Sequence, residues 1–416
     1  MKTSTPWLFW RAILALLLTL GFYGLAIGLI ILLVMIPYWE VVYLERLDGR
    51  IALACLFGAL AIAWAIIPRI ERFEPPGPRL NAKEHPRLFA LIEEVAKATQ
   101  QRMPSEVYLV ANMNAFVTER GGWMGIGSRR VMGLGLPLLQ LLSISELKSV
   151  LAHEFGHYHS GDTALGPWIY KLRNTIIRTI IATGQARSLV QIPFRLYGDL
   201  FLRVTNAISR AQEFAADALA ASITGAQPLI EALQKIHRGA AALNAYFQQE
   251  YLPALTAGYQ PPLARGFAHF MTSAGTIEIT DKLLDDELKT GKQNPYDTHP
   301  PLRERINAMK NFRPVVGLSD STTAITLIGD VEKAEKDLLV FSFDDKQRAA
   351  TLKKVTWEDV PQAVYLPNWQ NAAAKHARHL AGFQVGDMAS VLAQVRPLAT
   401  RINNGTPPIA PAGINE

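Results

Sequence analysis

The sequence predicts a mainly α-helical protein with a small β-sheet, in which an N-terminal transmembrane helical hairpin precedes an α+β domain. Two long apolar runs lie within residues 12–67, and much of the remaining chain shows helical periodicity or helix-capping signals. Strand-like stretches are short and lie near residues 106–136. With 416 residues, the chain is long enough for one domain of ordinary size, membrane segments and a smaller appendage.

The composition indicates contact with lipid. Hydrophobic residues make up 49% of the chain and charged residues 19%, whereas soluble proteins usually carry more charge. The net charge of +6 comes from scattered Lys and Arg residues without a dense basic run, which favours anionic lipid headgroups over nucleic acid as the partner. Cys55 is the single cysteine, so an internal disulfide and a Cys-rich metal cluster are excluded.

The hairpin consists of two apolar runs, residues 12–36 and 51–67. The first holds 25 uncharged residues and as a helix would be about 37 Å long, enough to span a bilayer. It exceeds the apolar core of a signal peptide, and Pro37 follows it instead of a small-residue cleavage site. The second run has 17 residues, at the short end of the spanning range.

Basic residues predict that both ends of the hairpin are cytoplasmic. Loops that are rich in Lys and Arg stay on the cytoplasmic side of a membrane. The flanking basic residues are Lys2, Arg11, Arg69, Arg72, Arg79, Lys83 and Arg87, against Arg46 and Arg50 in the connection. The domain after the hairpin is therefore expected in the cytoplasm.

Residues 165–205 are apolar but repeatedly interrupted by charges. Lys171, Arg178, Arg195 and Asp199 are among the charged residues that leave no uncharged window of spanning length. Burying an Arg at the bilayer centre costs about 3 kcal/mol on insertion scales. The sequence favours amphipathic helices in the membrane interface, and a second, weakly hydrophobic hairpin is the alternative.

The predicted organisation has three parts. Residues 1–74 form the hairpin, residues 75–311 form the α+β domain after a Pro-rich linker, and residues 312–416 form a helical appendage with a disordered tail. Strand character is found at residues 106–110 and within 121–136. Helices are expected from Pro86, across residues 207–221 and 228–250, and after Pro300.

A capping box at Ser143 and Glu146 starts a helix that carries the central motif. The motif is HExxH, formed by His153, Glu154 and His157. Residues four apart share a helix face, so both imidazoles can bind one ion while Glu154 faces its open position. Zinc suits such ligands, needs a third from the protein, and keeps a water whose pKa falls towards about 7. We expect one zinc ion per chain, with Glu154 as catalytic base.

The third ligand is expected on another helix. Glu213, 56 residues after His157, and Asp217 lie four apart among small alanines that permit close helix packing. Glu213 is the candidate ligand, and Asp217 would accept a hydrogen bond from the outer nitrogen of one histidine and so fix its tautomer. Such a pair alone is usually a solvated helix face, but after HExxH it indicates a metal centre.

These motifs resemble those of HtpX-like and CAAX-prenyl-protease-like membrane metallopeptidases, which have a zincin-like α+β domain. The family patterns VLAHExxH and SRxxExxAD match residues 150–157 and 209–217. Asn114-Ala115-Phe116 and Thr298-His299-Pro300 extend the match, which covers roughly residues 80–310.

The resemblance implies a zinc-dependent endopeptidase of the bacterial inner membrane that cuts membrane proteins in quality control. The substrate would lie as an added strand beside the sheet edge, and Glu154 would pass a proton from the attacking water to the leaving amine. His299 is the first candidate for a second donor to the oxyanion, assisted by Arg210 or Asn114. The competing interpretation of His299 is a helix-start residue before Pro300.

Two other functions stay open. A CAAX-type prenyl protease would share the chemistry, but such relatives have more transmembrane helices. A non-catalytic, metal-stabilised membrane sensor or scaffold would have no use for Glu154 beside an open coordination position. Of the other histidines, His159 is expected to be structural, His376 and His379 to be solvated, and His85, His237 and His269 to lack a converging carboxylate.

Overall fold

The structure, a computed structural model, describes residues 5–67, 73–120, 129–159, 166–184, 189–294, 296–310, 312, 319–343 and 351–375. It is mainly helical with small sheets, as the sequence predicts. The helices are α1 (Thr5–Leu44), α2 (Gly49–Ile66), α3 (Pro86–Ala98), α4 (Leu136–Leu141), α5 (Ile144–His159), α6 (Gly166–Gly184), α7 (Gln191–Thr224), α8 (Ala226–Tyr246), α9 (Leu252–Thr256), α10 (Leu263–Thr272), α11 (Ala274–Thr290), α12 (Leu302–Met309), α13 (Val331–Ser342) and α14 (Leu366–Lys375). The strands are β1 (Arg79–Leu80), β2 (Glu106–Val110), β3 (Ala115–Arg120), β4 (Arg129–Gly135), β5 (Tyr259–Gln260) and β6 (Lys353–Lys354).

A four-stranded sheet in the order β1-β2-β4-β3 supports the motif helix. β2 pairs in parallel with β4, whereas β1 and β3 run antiparallel to their neighbours. The predicted strand at residues 106–110 is confirmed as β2, and the one expected within 121–136 is β4, with residues 121–128 outside the described part. β3 lies at the edge of the sheet and packs against α5, so an edge that pairs with no other strand among the described residues lies beside the motif helix.

The apolar N-terminal helices form a bundle with later parts of the chain. α1 and α2 are long and apolar enough to cross a membrane, and α1 continues through Pro37 beyond the predicted end of the first run. α6 and the first half of α7 pack against them. Their shared apolar cluster contains Leu18, Phe22, Ala26, Leu33, Cys55, Ala59, Ile62, Leu172, Ile176, Phe194 and Phe201.

α7 is a continuous helix of 34 residues that joins this bundle to the α+β domain. Phe194 and Phe201 in its first half are buried in the bundle, whereas Ala220 and Ala221 near its end belong to the core of the domain. The helix predicted across residues 207–221 is therefore only the second half of a longer element. Apolar residues of the first half pack on α1 and α6, so the helix continues back to residue 191.

Residues 319–343, which belong to the predicted appendage, pack against the α+β domain. The backbone N–H of Ala324 donates to the carbonyl of Leu142 at 2.8 Å, and Leu338 and Leu339 of α13 lie in the domain core. The Glu335 carboxylate accepts from the N–H of Ala264 at 2.8 Å, at the start of α10. Residues 319–343 thus complete the domain core, because their apolar side chains cover surface that the domain would otherwise expose. The predicted disordered tail lies outside the described residues, as it belongs to 376–416.

Candidate metal centre

The motif helix α5 is held by the predicted capping box. The N–H of Glu146 donates to the Ser143 hydroxyl at 3.2 Å, and the Glu146 carboxylate accepts from the N–H of Ser143 at 2.7 Å. Lys235 of α8 adds an ion pair to Glu146 at 2.8 Å. Leu151 and Phe155 are fully buried on the same helix. Because the core fixes these residues, the opposite face of α5 presents the motif side chains in one orientation.

A glycine in the motif lets α5 and α7 approach closely. A Cβ atom at Gly156 would lie 2.9 Å from the Cα and 3.1 Å from the Cβ of Ala216. Contacts this short do not occur between real Cβ atoms, so a larger residue would push the helices apart. Ala216 lies between Glu213 and Asp217, and the close approach brings both carboxylates to the histidines.

The three predicted ligands meet between these helices. Nε2 of His153 lies 3.5 Å from Oε2 of Glu213, and Nε2 of His157 lies 3.5 Å from Oε1 of the same carboxylate. The imidazole rings are nearly perpendicular, with centroids 4.8 Å apart. Hydrogen bonds between such atoms are shorter, about 2.7–3.2 Å. Ligand atoms around a tetrahedral zinc with bonds of about 2.0–2.1 Å lie roughly 3.4 Å from each other. The separations fit shared coordination of an ion.

The Glu213 carboxylate provides a second indication that the site suits a cation. Its Oε2 atom is buried and lies within 3.5 Å of nitrogens of His153, His299 and Arg305, but none of these contacts has hydrogen-bond geometry among the described residues. A buried carboxylate oxygen that makes no well-aligned hydrogen bond costs free energy. A divalent ion between Glu213, His153 and His157 would supply the missing interaction, so these residues fit the metal that the HExxH motif implies.

Asp217 and Arg305 lie behind the ligands. Oδ1 of Asp217 lies 2.9 Å from Nδ1 of His153, close enough for a hydrogen bond but without its angular geometry, and Nε2 of His153 faces Glu213. Arg305 of α12 donates to both oxygens of Asp217 and lies 3.4 Å from Oε2 of Glu213. All four side chains are almost completely buried. The guanidinium therefore compensates two carboxylates that would otherwise be buried side by side.

These charges shift the protonation of the ligands. Burial alone would raise the pKa of Glu213, but the nearby His153 and His299 lower it by more. The pKa of Glu213 therefore lies well below its usual range. Burial alone would lower the pKa of His153, but the carboxylates of Asp217 and Glu213 raise it to about 9. Burial lowers the pKa of His157 to about 4. Without an ion, Glu213 is thus ionised and His157 neutral at neutral pH, whereas His153 carries a proton that metal binding would displace.

Glu154 lies between the histidines and the edge strand. One potential ligand atom from each of His153, Glu154 and His157 lies within 4.8 Å of the others. The backbone N–H of Val117 in β3 donates to the Glu154 carboxylate. Burial raises the pKa of Glu154 to about 7, the range in which a carboxylate can both accept and return a proton at neutral pH.

Of the three predicted oxyanion donors, His299, Arg210 and Asn114, only His299 contacts a predicted metal ligand in the described structure. His299 is exposed, and its Nδ1 lies 3.1 Å from Oε2 of Glu213, so it does reach the ligand set. Arg210 is buried and donates to the backbone carbonyl of Asp297 at 2.9 Å rather than to a ligand. Asn114 is exposed just before β3, and its backbone carbonyl accepts from Gly135 at 2.8 Å.

Comparison with known proteins shows the family of the chain. The model of peptidase family M48 matches residues 82–313, more than half of the chain. The chain belongs to peptidase family M48. The match covers strands β2 to β4, the motif helix, α7 and Arg305.

The relatives of this M48 peptidase include bacterial proteases named HtpX. It is 27% identical to protease HtpX of Cellvibrio japonicus over 56% of this chain and 72% of the relative. It is also 27% identical to protease HtpX of Idiomarina loihiensis, over 64% of this chain and 87% of the relative. The crystal structure of S. mikatae Ste24p has 18% identity and a TM-score of 0.31 over 74% of this chain and 67% of that one. The family identifies the chain as a metalloprotease, and its helices α1 and α2 are long and apolar enough to cross a membrane.

The sequence analysis missed Arg305 of this M48 peptidase. The available signal was the presence of two carboxylates, Glu213 and Asp217, on a helix expected to be buried, because buried carboxylates require a cation. The sequence does not indicate which of the many Arg and Lys residues supplies it, since Arg305 lies 88 residues after Asp217.

The remaining histidines do not join the metal centre in the described structure. His85 is buried at the start of α3, where its Nδ1 accepts from the N–H of Gly329 at 3.1 Å. His237 and His269 lie on α8 and α10. The side chain of His159, and His376 and His379 altogether, lie outside the described part of the chain.

Proposed function

We propose that this protein is a zinc-dependent endopeptidase of the bacterial inner membrane that cuts membrane proteins in quality control. Its catalytic domain faces the cytoplasm. The observation that carries the proposal is the convergence of His153, His157 and Glu213 at 3.5 Å separations beside Glu154. Membership of family M48 supports the reaction class.

In the proposed mechanism the protein holds one zinc ion through His153, His157 and Glu213. Bound zinc supplies Lewis acidity and lowers the pKa of the attacking water. Asp217 keeps His153 in the tautomer that presents Nε2 to the ion. Glu154 takes the proton of the water on its carboxylate and returns it to the leaving amine nitrogen.

The free edge of β3 is the proposed binding place of the substrate backbone. β3 is the terminal strand of the sheet, and Val117 on it donates its N–H to Glu154. A peptide added to this edge would pair its backbone groups with the strand. His299 is the proposed second donor to the oxyanion, because it is exposed and lies beside the ligand carboxylate.

We further propose that α6 and the first half of α7 enter the membrane beside α1 and α2 as a second hairpin, in preference to lying in the interface. Their apolar cluster with α1 and α2 supports this arrangement. Ile192, Leu196 and Leu200 form an exposed apolar face on α7, which lipid would cover. The cytoplasmic position of the catalytic domain is consistent with the excess of basic residues at both ends of the first hairpin.

The test compares the native protein with Glu154→Gln in cleavage of casein and of a membrane-protein substrate, with the full-length chain purified in detergent. We expect the native protein to lose activity with a chelator and to regain it with zinc, and Glu154→Gln to be inactive while it still binds zinc. Glu93→Gln, at an exposed pair with Lys97 on α3, is the matched control and should keep full activity. Full activity of Glu154→Gln would exclude the mechanism.

The quality-control role needs a test in cells. Cells that carry the native chain should accumulate membrane-protein fragments that cells with Glu154→Gln lack. Identical fragment patterns in both would contradict this role, even if the purified protein cleaves casein. A substrate population restricted to soluble proteins would also contradict it.

A further inference from the structure

One face of α7 contacts residues 296–299. Arg203, Asn206, Arg210 and Glu213 occupy successive turns on this face, and each contacts the segment. Residues 296–299 run in the same direction as the helix, so that His299 lies beside Glu213. A loop on a protein surface is usually mobile, but this one is attached at every turn.

Two hydrogen bonds to backbone carbonyls and two contacts to side chains attach the segment and the preceding Gln293 to α7. Nδ2 of Asn206 donates to the carbonyl of Tyr296 at 2.7 Å, and Nη1 of Arg210 donates to the carbonyl of Asp297 at 2.9 Å. In the amide orientation that satisfies both partners, the oxygen of Gln293 accepts from Nε of Arg210 at 2.6 Å. The outermost contact is between Arg203 and the Tyr296 side chain at 3.3 Å.

The anchors lie close to His299 in the chain. Tyr296 is three residues and Asp297 two residues before His299, and each is bound through its carbonyl to α7. Two or three residues span at most about 7–11 Å even when fully extended. The anchors at Tyr296 and Asp297 therefore limit how far the His299 ring can move from Glu213.

The anchors Asn206 and Arg210 are too deeply buried to contact a substrate directly. Asn206 and Arg210 are 2% and 9% exposed, and each donates a hydrogen bond to a backbone carbonyl of the segment. His299, by contrast, is 65% exposed at its side chain and accessible to substrate. A buried donor that binds a loop carbonyl stabilises one loop position, and removing it leaves that carbonyl free to move.

We propose that Asn206 and Arg210 are positioning residues, which hold the segment 296–299 on α7 so that His299 lies at the metal centre. This assigns Arg210 a part in placing His299 instead of the direct assistance expected from the sequence. The proposal rests on the proposed function, since it concerns the donor role of His299. It predicts that both residues affect turnover through His299 and leave the zinc ligands intact.

The experiment uses full-length protein in detergent and the variants Arg210→Gln, Arg210→Lys, Asn206→Leu and His299→Gln. Arg238→Gln is the matched control. It also removes an Arg, but Arg238 lies on α8 and pairs with Asp281 of α11 at a distance of 2.8 Å. Peptide cleavage, zinc affinity and hydrogen exchange of backbone amides at residues 296–299 are measured for each. Exchange is measured with and without zinc, so that one readout does not depend on activity.

We expect kcat to fall about 10- to 100-fold in Arg210→Gln and Asn206→Leu, with KM and zinc affinity unchanged, because a displaced catalytic group loses about this factor. Arg210→Lys should recover part of the loss. Amides at 296–299 should exchange faster in Arg210→Gln and Asn206→Leu but not in Arg238→Gln. The double variant Arg210→Gln/His299→Gln should be no slower than the slower single variant, because both act through one group.

Three outcomes would overturn the proposal. One is a double variant whose loss equals the product of the single losses, and another is unchanged exchange at 296–299 in both anchor variants. The third is full activity of His299→Gln, which would remove the role of His299 while inactive Glu154→Gln still supports the peptidase. If Arg210→Gln does not fold, Asn206→Leu and Arg210→Lys still decide between these outcomes.

Discussion

Arg305 binds Asp217 through two parallel hydrogen bonds, from Nε to Oδ2 at 2.8 Å and from Nη2 to Oδ1 at 2.7 Å. The same guanidinium lies 3.4 Å from Glu213. One side chain of α12 thus holds the carboxylate that orients His153 and compensates the charge of the ligand carboxylate. Because the planar guanidinium matches a carboxylate at two points, Lys is a poor substitute for it.

Replacing Arg305 should weaken zinc binding without removing a ligand. In Arg305→Lys the Asp217 carboxylate is held at one point, so His153 is oriented less firmly, and we expect zinc affinity to fall about 10- to 100-fold. Competition with a chromogenic chelator measures it. Arg303→Gln, on the same helix with a hydrogen bond to the carbonyl of Lys289, is the control and should bind zinc normally. Native zinc affinity in Arg305→Lys would contradict the assigned role.

Adding one methyl group at Gly156 should separate α5 from α7. We expect Gly156→Ala to lower the free energy of unfolding by about 1–3 kcal/mol and to reduce zinc affinity, since the new Cβ would overlap the backbone of Ala216. Thermal unfolding in detergent and chelator competition measure the two effects. Gly275→Ala on α11 is the control, because its Cβ would meet no atom within 4 Å. If both variants are equally stable, the helices have room that the structure does not give them.

The stability of the protein should fall in mild acid through His85. Burial lowers the pKa of His85 from its ordinary value of 6.5, and its Nδ1 accepts a hydrogen bond from Gly329. A folded-state pKa below the unfolded value means that the stabilisation is present above pH 6.5 and is lost as the pH falls through the folded-state pKa. Unfolding temperatures measured between pH 5 and 8 should show this slope.

The variant His85→Asn isolates this contribution. Its amide oxygen can accept from Gly329 without titrating, so we expect a flatter pH dependence than in the native protein. His269→Asn, at an exposed site on α10, should keep the native slope. An unchanged slope in His85→Asn would assign the acid sensitivity to other groups.

The Glu335 carboxylate should matter as a hydrogen-bond acceptor more than as a charge. It accepts from the N–H of Ala264 at the start of α10, and burial raises its pKa. Because a raised carboxyl pKa reduces stability as the pH rises through it, Glu335→Gln should be as stable as the native protein at pH 8, or more so. Glu335→Leu should lose about 1–3 kcal/mol, since the N–H of Ala264 is left unsatisfied. Equal unfolding temperatures for both variants would contradict this account.

Local sequence signals predicted the elements that carry the metal centre. The capping box at Ser143 and the four-residue spacing of His153 and His157 depend only on helix geometry, and both are found in the structure. Glu213 was predicted because its spacing from Asp217 follows the same geometry. In these cases the interacting residues lie on one element, or on one whose partner is already known.

Contacts between distant segments could not be predicted in the same way. The pairing of Arg305 with Asp217 and the attachment of residues 296–297 to α7 join parts of the chain about 90 residues apart. The core contribution of Leu338 and Leu339 was missed because a short amphipathic helix shows its apolar face but not the surface that it covers. Nor does the sequence show that α6 packs on α2, since its charges obscure the apolar face.

The continuity of α7 has a consequence for where substrates are cut. Phe201 is buried among the bundle helices, and Glu213 lies twelve residues further along the same helix, about 18 Å away. Because α7 is one continuous helix, the distance between Phe201 in the apolar bundle and the candidate metal centre is fixed. With the bundle placed in the bilayer as proposed, clients would be cleaved in loops that reach Glu213 beyond the end of the apolar bundle, while bonds at the level of Phe201 stay out of reach.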